Sequence, residues 1–234
     1  MSLLRALFFL LATVNLTAEY YQQELIIYLT KPLLVSTLAV YFLLLTHGRR
    51  GTSEHFIVYG LFFSVLGDTL LMFVENGAGN DLLFALGLGS FLITHVFYVL
   101  AFNTYQSIKN GYLQREKWWV LPFFTYLFVN TFILYPAVPT DLRIPVIIYS
   151  CAITLMALTA FNLKGFFPRQ GFPWLLTAVL LFVFSDTIIG WNKFKTATVT
   201  IPQARLWIMI PYLASQYLLV TTWGKYGVKN STNN

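Results

Sequence analysis

The stretch Ile57–Phe73, IVYGLFFSVLGDTLLMF, decides how the chain is read. It is close to the roughly 20 apolar residues that a helix needs to cross the hydrocarbon of a bilayer. It nevertheless carries a carboxylate, Asp68, well inside the run. A charged side chain there costs about 2.5–3.5 kcal/mol on insertion scales, so it marks function before it marks packing. A second stretch repeats the pattern: Leu175–Trp191, LLTAVLLFVFSDTIIGW, with Asp186 in the corresponding place.

The rest of the chain agrees with a membrane reading. Of 234 residues 57% are hydrophobic and 10% are charged, against roughly 25% charged in soluble domains. Mean hydropathy is +0.67. Twenty-four charges cannot clothe the surface of a soluble domain this size, and no polar stretch is long enough to make a separate one. The expected architecture is an all-α, polytopic bundle forming a single transmembrane domain over residues 1–234. Eight spans are expected near 3–18, 28–46, 56–74, 82–105, 118–135, 144–162, 173–191 and 204–223. Helices satisfy their backbone groups internally, as lipid demands. The first span also has the outline of a signal peptide, with Arg5 before a short apolar core. It lacks a small-x-small cleavage site, and it is read as a retained helix.

Basic residues set the orientation. The N-terminus, the 47–55, 106–117 and 163–172 loops and the tail hold ten of the fifteen Lys and Arg. The opposite side holds Arg143, Lys193, Lys195 and Arg205. Both termini are therefore expected in the cytosol. The net charge of +6 is what this bias produces, and no nucleic-acid partner is expected. The single cysteine, Cys151, excludes an intramolecular disulfide and a cysteine metal cluster; in its apolar run it reads as an inert core thiol.

A weak internal repeat appears at an offset of 118 residues, which lays Val65, Asp68 and Thr69 on Val183, Asp186 and Thr187. It lays the first four spans on the last four and preserves their direction, so it would be a parallel 4+4 repeat.

Polar groups inside the spans form one candidate set. Besides Asp68 and Asp186 these are Lys31, His95, Tyr212 and Gln216. At 1.5 Å per residue all six fall between the middle and the non-cytosolic face, so one layer can hold them. Ser64 and Asp68, His95 and Tyr98, and Tyr212 and Gln216 stand three or four residues apart and share a helix face. Each has a structural alternative. Asp68 could pair with Lys31 as a buried bridge. His95 could be a hydrogen-bonded core histidine, Ser64 and Ser185 could bond back to the i−4 carbonyl, and Lys193 could snorkel to the interface. Gly60, Gly67, Gly87 and Gly89 read as close-packing positions. No nucleophile elbow, zinc motif or phosphate loop is present, and no metal or other cofactor is expected.

Taken together, Gly60-Leu-Phe-Phe-Ser64-x-x-Gly67-Asp68, Thr94-His95-x-x-Tyr98, Phe184-Ser185-Asp186, Trp191-Asn192-Lys193-Phe194, and Tyr212 with Gln216 resemble the YhhN family of membrane proteins. The Ser-Asp…Asn-Lys-Phe block and His47-Gly48 are most similar to its animal lysoplasmalogenase members. The resemblance covers roughly residues 28 to 223. It implies eight helices, residence in the endoplasmic reticulum or another endomembrane, and hydrolysis of the vinyl ether of lysoplasmalogens. The products would be a fatty aldehyde and glycerophosphoethanolamine or glycerophosphocholine.

That chemistry suits the inventory. A vinyl ether yields when an acid protonates its β-carbon, giving an oxocarbenium ion that water captures. It needs one carboxylic acid and one carboxylate, as glycosidases do for a related cation. Asp68, Asp186 and His95 are the catalytic candidates. Lys31, Ser64, Tyr98, Ser185, Asn192, Lys193, Tyr212 and Gln216 are the substrate-binding ones, and the expected partners are a lysoplasmalogen or related lysophospholipid and the membrane. A proton-coupled transporter is the competing class, since midplane carboxylates and a repeat serve it equally well.

Overall fold

A computed structural model describes residues 1–74, 81–195 and 198–228. Its principal elements are α1 (Ser2–Tyr21), α2 (Glu24–Leu45), α3 (Thr52–Met72), α4 (Asp81–Tyr105), the single turn α5 (Tyr112–Arg115), α6 (Leu121–Leu134), α7 (Arg143–Phe161), α8 (Phe172–Phe194) and α9 (Ala204–Thr222). Among the described residues, seven helical segments are long and apolar enough to cross a membrane: Ser2–Tyr21, Glu24–Leu45, Thr52–Met72, Leu82–Tyr105, Lys117–Ala137, Thr140–Phe161 and Phe172–Phe194. The helix expected over 204–223 forms as α9 but is not among these seven. It carries Arg205, Ser215 and Gln216; the latter two are fully buried, and Gln216 is hydrogen-bonded to Ser64, Tyr98 and Tyr212.

Most of the expected spans are extended by a few residues. The largest shifts, four residues each, are at the starts of α2 and α3; α2 starts at Glu24 because Gln22 adopts the left-handed conformation (φ 55°) and the chain turns over Gln22 and Gln23. The span expected over 118–135 is shorter as an α-helix and gains a 3-10 turn at each end, over Lys117–Val120 and Tyr135–Ala137.

Neighbouring helices close a ring. α2 packs on α3, α3 on α4, α4 on α7, α7 on α8, α8 on α9, and α9 back on α2. α1 lies outside the ring against α2 and α9, and α6 lies outside against α7 and α8. Moving the numbering by 118 turns the α1–α4 pairings into the α6–α9 pairings, and turns α4·α7 into α9·α2. The ring contacts thus follow the shift, whereas the outer helices do not: α1 packs on α9, and its counterpart α6 packs on α8 instead of α4. Residues that exchange under the shift meet between the halves. The Tyr98 hydroxyl donates to Gln216 Oε1 at 2.9 Å, and the Tyr105 and Trp223 rings lie 5.4 Å apart.

Small residues set the spacing of α3 and α4, as expected where helices approach closely. A Cβ on Gly60 would lie 2.3 Å from the Tyr98 ring, and one on Gly67 would lie 2.7 Å from Phe91. Gly89 differs from its expected packing role, since a Cβ there would meet nothing within 4 Å. Cys151 also departs from expectation: it is exposed on the outer face of α7, not in the core. The apolar run around it is apolar because that face looks toward lipid.

Candidate active site

The start of α1, the end of α2 and the end of α9 share one end of the bundle, and the α1–α2 turn and the start of α9 share the other. In the half away from the termini lies a cavity of about 270 Å³. Its wall includes Lys31 from α2, Asp68 from α3, Ser185, Asp186, Asn192 and Lys193 from α8, and Tyr212 from α9. Seven of the eleven sequence candidates therefore line one space. Leu71, Val74, Phe84, Phe91, Ile189, Ile208 and Met209 supply its apolar remainder.

Each aspartate receives a tyrosine hydroxyl. Tyr212 donates to Asp68 Oδ2 at 2.7 Å, and Tyr149 on α7 donates to Asp186 Oδ2 in a short hydrogen bond. Both carboxyls are buried, where an unsatisfied polar group would be costly. His95 brings Nε2 to 3.3 Å from Asp186 Oδ2. It does not line the cavity, although the shared-layer expectation placed it there. The Tyr149 and Phe182 rings pack edge-on against it, with centroids at 5.2 and 4.9 Å.

Ser64, Tyr98 and Gln216 also lie outside the cavity wall, about one helical turn nearer the termini. They form a hydrogen-bonded support. Gln216 Nε2 donates to Ser64 Oγ at 3.0 Å and to the Tyr212 hydroxyl at 3.4 Å, while Tyr98 donates to Gln216. Ser64 Oγ donates to Thr94 Oγ1 on α4 at 3.3 Å. The single expected layer is thus two: cavity and foundation. The division follows from 1.5 Å of rise per residue, which puts Ser64 roughly 6 Å below Asp68.

The serines do not bond back along their own helices. Ser185 Oγ donates to the Ile208 carbonyl on α9 at 2.9 Å. Pro211 interrupts the α9 ladder close by, since proline has no N–H to give. Lys193 reaches over Phe84, with Nζ 4.8 Å from the ring centroid. Lys31 pairs with Glu19 Oε1 at 3.3 Å, and both are buried. Arg205 joins the same group, at 3.6 Å from Glu19 Oε2 and 2.9 Å from Glu24 Oε1.

Sequence reading missed Tyr149 and Glu19. Tyr149 looks like one more aromatic in an apolar run, but the offset of 118 maps it onto Lys31. Glu19 lies just past the expected end of the first span.

The fold and site define a polytopic helical membrane protein whose two matched halves each contribute one aspartate to a shared intramembrane cavity. The chain belongs to the YhhN family, whose model matches residues 26–223. No curated protein and no solved structure matches it.

Proposed function

We propose that this YhhN-family protein is an intramembrane hydrolase that cleaves the vinyl ether of lysoplasmalogens. One observation carries the reading: Asp68 and Asp186 line a single buried cavity with Lys31 and Lys193 on the same wall. Two acids and two cations in an apolar setting match an ether lipid that carries a phosphate and passes through a cation.

The step balances with water as the only co-reactant. A carboxylic acid gives its proton to the β-carbon of the vinyl ether, and the oxygen lone pair forms the oxocarbenium ion. A carboxylate takes a proton from water as its oxygen bonds to the cationic carbon. The hemiacetal then collapses: the carboxyl that took water's proton gives it to the departing glycerol oxygen, the hemiacetal hydroxyl proton passes to the other carboxylate, and the aldehyde carbonyl forms, which returns both carboxyls to their starting states. Asp186 takes the role of acid, set among Phe84, Phe91 and Ile189. Asp68 takes the role of carboxylate, on the wall that also carries Lys31. Tyr149 and Tyr212 hold the two carboxyls, His95 backs Asp186, and Ser64, Tyr98 and Gln216 hold Tyr212. Lys31, Lys193 and Asn192 meet the phosphate and glycerol, and Ser185 fixes α8 against α9. The orientation has both termini in the cytosol, in the endoplasmic reticulum or another endomembrane.

Aldehyde release from lysoplasmalogen by the purified protein tests the reading. A lysophospholipid with an ester in place of the vinyl ether is expected to bind and not to turn over, because the mechanism uses no activated Ser or Cys nucleophile. Fatty-acid release from that ester would overturn it and promote Ser64 or Ser185 to nucleophile. If neither substrate reacts, proton-driven uptake of a small solute or lipid is the alternative, since paired halves around carboxylates also suit a carrier.

Tyr149→Phe removes the hydroxyl that holds Asp186 and leaves the ring against His95. Aldehyde release is expected to fall about tenfold, equivalent to the ~1.5 kcal/mol of one hydrogen bond to a charged or acidic group. An unchanged rate would reduce Tyr149 to packing.

A further inference from the structure

A second cavity lies at the terminal end of the bundle, away from the two aspartates. Its volume is about 390 Å³, and it is lined by Arg5, Tyr41, Leu45, Arg49, Tyr217, Thr221, Gly224 and Lys225. The three cations come from three places in the chain: the first turns of α1, the end of α2, and the turn after α9. We infer that this cavity binds a phosphate-bearing anion, with the headgroup of an anionic phospholipid in the adjoining leaflet and free phosphate as its two sources.

A loop charge bias accounts for cations at this end of the bundle but not for their convergence on one cavity. Capping does not account for them either. Arg49 Nη2 donates to the Leu45 carbonyl at 3.0 Å, which serves the end of α2. The C-termini of α2 and α9 each offer roughly half a negative charge, so three cations leave an excess of about +2. Among the described residues, no acidic side chain is in the cavity wall.

The backbone that carries Lys225 is unusual. Residues Trp223–Gly227 form a π-helical turn, a conformation that recurs at functional sites. It is held from below. Trp223 is fully buried, its Nε1 donates to Glu54 Oε1 at 3.0 Å, and its ring packs on Phe102, Tyr105 and Phe167. The wide turn is thus fixed by packing, and Lys225 stands on it at the cavity wall.

A path for an acyl chain adjoins the cavity. Tyr217 in its wall stacks on Phe8 at 5.5 Å and lies 4.9 Å from Phe9 on α1, and Phe9 is exposed on the outer surface. Lys225 is thirteen residues beyond Tyr212, roughly 20 Å along the helix axis. The cavity is therefore separate from the candidate active site, and its occupancy is independent of that reading.

The test uses the full chain in phosphatidylcholine nanodiscs doped with a phosphatidylinositol monophosphate, with retained lipid counted by native mass spectrometry. Each cation near a membrane surface contributes about fivefold to attraction of an anionic lipid, so the triple variant Arg5→Gln, Arg49→Gln, Lys225→Gln is expected to bind about a hundredfold more weakly. Arg5→Gln alone is expected to lose about fivefold, and it serves if the triple variant fails to fold. Retention that resists inorganic phosphate identifies the lipid as the ligand. Retention displaced by inorganic phosphate, with the same dependence on the three cations, identifies a free phosphate site. Equal retention by wild type, the single variant and the triple variant overturns the inference.

Discussion

Asp68→Asn and Asp186→Asn are each expected to lower aldehyde release by at least about 10²-fold, the lower range for loss of a general acid or base. Asparagine keeps nearly the same volume, and its Oδ1 can still accept from Tyr212 or Tyr149. The network around each site therefore survives while the transferable proton or negative charge is lost. Activity is measured on purified protein with lysoplasmalogen, and folding on the same samples by size-exclusion profile and thermal unfolding. Full activity in either single variant would remove that aspartate from the mechanism. If neither wild type nor variants release aldehyde but wild type accumulates solute under a proton gradient, the carboxylates serve transport.

The second large effect belongs to stability. Lys31 is 3% exposed and pairs with Glu19, whose side chain is fully buried. Glu19→Gln is expected to destabilise the protein by about 3–5 kcal/mol, the usual consequence of leaving one member of a buried ion pair behind. Adding Lys31→Met should return most of that loss, because an unbranched apolar side chain of similar length replaces the stranded ammonium. Denaturant titration in detergent micelles measures both. A loss below about 1 kcal/mol in Glu19→Gln would mean that other groups around Lys31 balance its charge, and that α1 contributes packing rather than charge to the site. The double variant also separates roles: recovered stability with weakened binding of the lysophospholipid ester would assign Lys31 to the substrate phosphate.

The bundle was legible because lipid imposes a length and a composition on every span, and charged loops stand out against them. Asp68 and Asp186 were legible for the same reason, as exceptions that an apolar helix does not carry without cause. Tyr149 was not, because tyrosine is ordinary in an apolar run and only its partner across the bundle reveals its use. Glu19 was missed because a carboxylate at a span's end reads as interfacial. It becomes buried only when the chain turns at Gln22 and Gln23 and α2 and Arg205 of α9 pack against it. That His95 packs against Tyr149 and Phe182 and does not line the cavity depends on helix rotation, which residue spacing on one helix does not specify. α9 was found despite its polar residues because its apolar stretches are long, and its polarity makes sense once Ser215 and Gln216 are buried within the ring.

The agreement of the two halves in direction has an evolutionary corollary. Four helices return a chain to the side where it began, so a duplicated four-helix unit and its copy enter the bilayer the same way round. An ancestor of that kind could have paired with an identical partner without any molecule inserting upside down. Its dimer would have offered the same residue twice at every position across the axis. Fusion of two such units would release that constraint. The position that is Lys31 in one half could become Tyr149 in the other, and the position that is Tyr98 could become Gln216. In this chain the two carboxylates have different neighbours, Tyr212 at Asp68 and Tyr149 with His95 at Asp186, as the proposed division between proton donor and acceptor requires.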